Sequence, residues 1–176
     1  FEARYQLKAR NPVSTGWEQI DGITRQGLGK GELGVVIAPT GAGKSMVLAH
    51  LGVEALKAGK NVVHYTLELA DACLEVDGEL IIKEYPTKTA SPNTLRAHLE
   101  KLRKKDHDVD VIIVDYADLL RPNSKYSEKR IELESIYEDL RGLAQEFNCP
   151  IWTASQTNRS GLNAEVVTME SISEAF

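Results

Sequence analysis

The chain has 176 residues, 42% of them hydrophobic, with 21 basic and 26 acidic side chains and a net charge of -5. That length buries one substantial core and demands no second domain. The acidic balance excludes a cationic nucleic-acid coat, so any contact with DNA or RNA has to be local. Two cysteines, Cys73 and Cys149, stand in no paired spacing; they suggest neither a disulfide framework nor a zinc site and point to a reducing compartment. No apolar run approaches the roughly 20 residues of a membrane span, and no charged-then-apolar leader opens the chain, so it reads as soluble and cytoplasmic. It starts on Phe1 and stops at Phe176 inside the helix-forming stretch MESISEAF, which reads as a fragment.

Residues 1–16 mix charge, Pro12 and Gly16 with little apolar periodicity and read as a linker or arm leading into a domain over 17–176. GELGVVIA is a β-rich run, and SMVLAHLGVEALKAG, with Val47, Leu48, Leu51, Val53, Ala55 and Leu56, suits a buried helix ended by Gly59. NVVHYTLE and ELIIKEY read as further buried strands. SPNTLRAHLEKLRKKD places Leu95, Leu99 and Leu102 on one stripe behind the cap candidate Ser91 and ends in a basic turn, all of which predicts a helix. VDVIIVDYADLL is the strongest strand. After the polar loop RPNSKYSEK comes a long amphipathic helix carrying Ile136, Leu140, Leu143 and Phe147, and CPIWTAS returns as a strand. Alternating strands and helices predict an α/β fold, a mostly parallel twisted sheet with helices on both faces.

The densest chemical signal is Ala38-Pro39-Thr40-Gly41-Ala42-Gly43-Lys44-Ser45, which fits the phosphate-loop pattern G-x-x-x-x-G-K-[ST] except for Ala38 in the first glycine's place. A strand feeds it and a helix leaves it, so backbone N–H groups at the helix start can cradle phosphates. Residues 39–45 are therefore expected to bind ATP. Lys44 would neutralise the β- and γ-phosphates, and the Ser45 hydroxyl would ligate Mg²⁺. Asp115 ends an apolar strand where parallel sheets gather their ligands, and a carboxylate there suits the magnesium shell; Asp118 is a weaker candidate. Glu68 closes VVHYTLE, where a carboxylate can polarise a water for attack on the γ-phosphate. Gln156 follows the strand PIWTAS, so its amide can touch that phosphate.

These segments, in this order, resemble the RecA-like core of DnaB-type hexameric replicative helicases over nearly the whole chain. STGWEQIDGITRQGLGKGEL resembles the family's entry segment, APTGAGKS its Walker A, HYTLEL its strand with the catalytic glutamate, VIIVDYADLL its Walker B and ASQTNRS its third motif. The resemblance implies a bacterial or phage replication motor, a ring that threads single-stranded DNA. In it Glu68 is the base, Ser45 and Asp115 stand around Mg²⁺, and Gln156 is the γ-phosphate sensor. It also implies DNA-facing loops carrying Lys125, Lys129, Arg130 and Arg159. Recombinases of the RecA or RadA type and KaiC-like ATPases share this core, and a nucleotide-dependent assembly or loading module is the alternative of a different class. DYADLL and SQTNRS tilt the comparison toward the helicase.

Two departures stand out. Only LADACLEVDG separates Glu68 from the next strand, where the family has a longer insertion. The expectation is either an antiparallel strand or a stretch missing near Cys73, since a parallel crossover needs a dozen or more residues. LNAEVVTMESISEAF contains no arginine, so the family's arginine finger is expected to be absent from this fragment.

Overall fold

The computed structural model describes residues 10–66, 78–124 and 126–156. Its centre is a five-stranded sheet of β1 (Leu33–Ala38), β2 (Val62–Thr66), β3 (Leu80–Glu84), β4 (Val111–Asp115) and β5 (Ile151–Gln156). The strand order is β1-β5-β4-β2-β3, and every pairing is parallel. The α/β expectation holds. All five residues of β2 and all five of β4 are buried, which is why both read as unbroken apolar runs rather than alternating ones.

The helices are α1 (Glu18–Thr24), α2 (Lys44–Lys57), α3 (Pro92–Arg103) and α4 (Lys129–Phe147). From β1 to β2 the chain steps one way across the sheet, and from β3 through β4 to β5 it steps back. Right-handed crossovers then place α2 on one face and α3 and α4 on the other. The core divides accordingly. Leu48, Leu51, Ala55 and Leu56 of α2 pack on Val62, Val111, Ile113 and Ala154. Leu95, Leu99 and Leu102 of α3 and Ile136, Leu140 and Leu143 of α4 pack on Val63, Tyr65, Ile112, Val114 and Ile151. Ser91 caps α3 as the sequence predicts, its N–H donating to Thr94 Oγ1 at 3.1 Å.

Three local features depart from the sequence reading. First, the strand expected over VDVIIVDYADLL ends at Asp115 and gives way to a 3₁₀ turn at Ala117–Leu119. The buried Thr153 hydroxyl makes the switch possible: it donates to Val114 O at 2.8 Å and accepts from Ala117 N–H at 2.9 Å, taking over ladder bonds that the departing chain gives up. Second, β3 lies parallel to β2, so the antiparallel alternative is wrong; 13 residues connect Thr66 to Leu80. Leu80 and Ile82 pair with Val62 and His64, which puts them on the α2 side of the sheet, where both are exposed.

Third, residues 10–16, the described part of the expected arm over 1–16, are bonded to the domain. Val13 bridges Leu28, and Arg10 holds Glu32 at 2.7 Å while also donating to Gly27 O. The fully buried Thr15 donates from its N–H and its hydroxyl to Asp21 Oδ1, at 2.9 and 2.8 Å. Those bonds anchor α1, a helix with no buried residue of its own. Close packing fixes the other side of β1: a Cβ on Gly34 would sit 2.3 Å from the Trp152 ring, so only glycine lets that indole cross the strand.

Replacing Thr153 with valine keeps the shape but strands the Ala117 N–H inside the core, and we expect a loss of about 1–3 kcal/mol in unfolding free energy. Urea denaturation checks this; an unchanged midpoint would show that the hydroxyl does not hold the end of β4.

Candidate functional site

All five strands point their C-terminal ends to one edge, and parallel α/β sheets bind ligands there. The phosphate loop leaves β1 at that edge and enters α2. Gly43, the N-cap of α2, has φ +86°, a left-handed conformation that costs glycine little, and Gly41 has φ +79°. A Cβ at either position would meet nothing within 4 Å among the described residues, so the loop is an open rim. The N–H groups of Lys44, Ser45 and Met46 donate to no backbone carbonyl of the described residues, whereas Val47 N–H already reaches Gly43 O at 3.0 Å. Unpaired first-turn donors on a helix of 14 residues form an anion cradle.

Lys44 is buried, and its ammonium donates to the carbonyls of Ala38 at 3.3 Å and Pro39 at 3.1 Å, across the mouth of the loop. Ser45 Oγ donates to Asp115 Oδ1 at 3.1 Å across 70 residues of sequence, with Asp115 only 1% exposed. A hydroxyl and a carboxylate converging beside a phosphate cradle are the hard oxygen donors that Mg²⁺ takes. The residues present therefore fit a magnesium–nucleotide complex, with Ser45 and Asp115 as the metal side and residues 39–45 as the phosphate side.

Gln156 ends β5, the strand between β1 and β4, and stands opposite Ala38 in the register. Its Nε2 donates to Tyr116 Oη at 2.8 Å, and the Tyr116 ring lies 5.5 Å from the Lys44 ammonium. Thus Lys44, Ser45, Asp115 and Gln156, expected from three separated motifs, meet in one place. Glu68 lies outside the described residues. Thr66, two positions before it, pairs with Asp115 across β2 and β4, and its buried hydroxyl has no hydrogen-bond partner among the described residues. His64 on the same face has an Nε2 equally without a partner among them, and burial lowers its pKa to about 4, so it is neutral at physiological pH.

Asp118 is not a companion of Asp115. Its buried carboxylate accepts from Tyr137 Oη at 2.8 Å, from Ser155 Oγ at 3.2 Å and from Gln156 N–H at 2.9 Å. It joins α4 to the end of β5. Lys88 braces the same turn, donating to the carbonyls of Asp118 at 2.6 Å and Leu120 at 2.7 Å. Nothing in the local sequence reveals these roles, because each depends on a partner 19 to 38 residues away. Of the expected DNA contacts, Lys129 and Arg130 open α4 and are exposed, while Lys125 and Arg159 lie outside the described residues.

Fold and site together define a parallel α/β domain of RecA-like architecture with a phosphate-loop sequence between β1 and α2. The model of the DnaB-like helicase C terminal domain matches residues 75–165, just over half the chain, and the chain belongs to that family. The DnaB-like replicative helicase of Enterobacteria phage T4 is 30% identical over 218 aligned positions, which take in 99% of this chain and 46% of the phage protein. An alignment longer than the 176-residue chain means that the relative carries segments with no counterpart here.

Two solved structures share the fold at 15% identity. A DnaB-like replicative helicase, described with its interactions with primase, superposes with a TM-score of 0.75 over 94% of this chain and 49% of its own. A second structure, described as an ATPase domain, gives 0.74 over 92% and 70%. The chain spans about half the length of the phage relative. No helix among the described residues is long and apolar enough to cross a membrane.

Burial raises the Asp118 pKa above its ordinary value of 3.8, against the opposing pull of its hydrogen bonds from Gln156, Tyr137 and Ser155. The folded protein therefore holds this proton to higher pH than the unfolded chain does. Stability from this group is present at low pH and falls as pH rises through the window above 3.8. Measured against pH, the unfolding free energy of the wild type should decline relative to Asp118→Asn over that window. Parallel curves would show that Asp118 is not a desolvated carboxylate.

Proposed function

We propose that this chain is the motor domain of an ATP-dependent DNA helicase, coupling ATP hydrolysis to movement along single-stranded DNA within a homo-oligomeric, hexameric ring. The observation that carries the reading is the Ser45–Asp115 contact of 3.1 Å beside Lys44, with Gln156 on the strand between. Family membership supports the substrate.

Residues 39–45 hold the triphosphate with backbone N–H groups, and Lys44 turns its ammonium from the Ala38 and Pro39 carbonyls to the β- and γ-phosphates. Mg²⁺, when bound, neutralises charge that builds up on the phosphates during transfer. Ser45 and Asp115 hold it. Glu68 takes the proton of the attacking water, a role supported by the pairing that runs β2 alongside Asp115. Gln156 touches the γ-phosphate and distinguishes intact from hydrolysed nucleotide.

The DNA contact rests on the segment after β4. Lys129 and Arg130 occupy the first turn of α4, where the helix dipole disfavours cations by a few tenths of a kcal/mol or more. An exposed Tyr126 precedes them. Cations kept at an unfavourable helix end, next to an exposed aromatic ring, suit a phosphodiester backbone with stacked bases. Lys125, and Arg159 after the third motif, extend the same basic character.

Strand displacement by the intact protein tests the reading. Lys44→Ala should abolish DNA-stimulated ATP hydrolysis and unwinding together, by about two orders of magnitude or more. A Lys44→Ala protein that still unwinds DNA at the wild-type rate would refute it.

A further inference from the structure

Two groups that read the phosphates, Lys44 and Gln156, rest on the same side chain. Tyr116 is buried in the α2-side core, with its ring 5.5 Å from the Lys44 ammonium and its hydroxyl accepting from Gln156 Nε2 at 2.8 Å. The Gln156 backbone cannot drift, because its N–H is bound by Asp118 Oδ2 at 2.9 Å and its strand neighbour is Ala38. Ala38 in turn offers its carbonyl to Lys44 at 3.3 Å. The contacts therefore close a circuit from Lys44 to Ala38, Gln156, Tyr116 and back to Lys44. Within it, the Gln156 amide is held by the Tyr116 hydroxyl.

We propose that Tyr116 is a positioning residue that aims the Gln156 amide at the γ-phosphate and holds Lys44 in reach of it. The proposal rests on Gln156 being the γ-phosphate contact. A primary amide has two N–H donors on one nitrogen. When the Tyr116 hydroxyl accepts one, the amide plane is set and the other is left to point at a phosphate oxygen. The ring face attracts the ammonium without a covalent or fully committed ion-pair partner, so Lys44 exchanges the Ala38 and Pro39 carbonyls for phosphate at little cost. Tyr116 acts through these two groups and touches no reacting atom.

The hydroxyl and the ring separate in the test. Calorimetric titration of the intact protein with AMP-PNP and with ADP, both with Mg²⁺, gives the affinity ratio that a γ-phosphate contact creates, without any need for turnover. Gln156→Ala should reduce that ratio, and Tyr116→Phe should reduce it by about five- to tenfold, the loss of one hydrogen bond to the amide. ADP affinity should stay within about twofold in Tyr116→Phe, because the ring under Lys44 is kept. The double variant Tyr116→Phe/Gln156→Ala should be no worse than Gln156→Ala, since both changes break one coupled contact. Tyr116→Leu should weaken both nucleotides.

If Gln156→Ala lowers the ratio and Tyr116→Phe leaves it at the wild-type value, Tyr116 does not position the amide. Additive losses in the double variant, or a Tyr116→Phe protein that loses ADP as well, would also overturn the proposal. A ratio unchanged by Gln156→Ala removes the γ-phosphate role of Gln156 itself, and the coupling falls with it.

Discussion

The hydroxyl of Ser45 and the carboxylate of Asp115 sit 3.1 Å apart although 70 residues separate them, and the arrangement of the domain follows from making that contact possible. The first residue belongs to the start of α2 and the second to the end of β4. They meet because the strands are parallel and in register, so that everything leaving a C-terminal strand end arrives at the same edge. Inserting β5 between β1 and β4 adds Gln156 to that edge. Burial then raises the stakes of the pairing: a carboxylate 1% exposed is costly without a partner.

A layer of polar side chains behind the site holds the strand ends in place. Thr153 receives the chain where β4 turns away, Asp118 fixes the backbone of Gln156, and Lys88 ties the turn between them to the segment before α3. Thr153 and Asp118 are buried and hydrogen-bonded, and the exposed Lys88 donates to two carbonyls of the turn, so the rigidity of the site comes from hydrogen bonds as well as from the apolar clusters on either face. Tyr116 belongs to both systems, with its ring in the α2-side cluster and its hydroxyl on Gln156.

How much of this the sequence discloses depends on how local each signal is. Asp115 and Gln156 are legible because each stands at the end of an apolar run, Lys44 and Ser45 because they complete the phosphate-loop pattern just after one, and parallel strands bring such ends together. The helices α2, α3 and α4 are legible from their apolar spacing. Asp118 is misread as a metal candidate because its partners, Tyr137, Ser155 and Gln156, lie 19 to 38 residues downstream, and no pattern within VDYADLL announces them. Within the expected arm over 1–16, the attachment of residues 10–16 is not legible because it comes from single polar bonds, chiefly those of Arg10, Thr15 and Asp21, rather than from periodicity. The parallel placement of β3 is likewise hidden, since a short connection argues against it while its exposed Leu80 and Ile82 face the α2 side.

The central claim is that Ser45 and Asp115 together make a magnesium site beside the phosphate loop. The most direct measurement is the affinity for ATP with and without Mg²⁺, in the wild type and in Ser45→Ala. Mg²⁺ should strengthen ATP binding to the wild type, and that gain should disappear in Ser45→Ala while metal-free binding is retained. An equal gain from Mg²⁺ in both proteins would contradict the account.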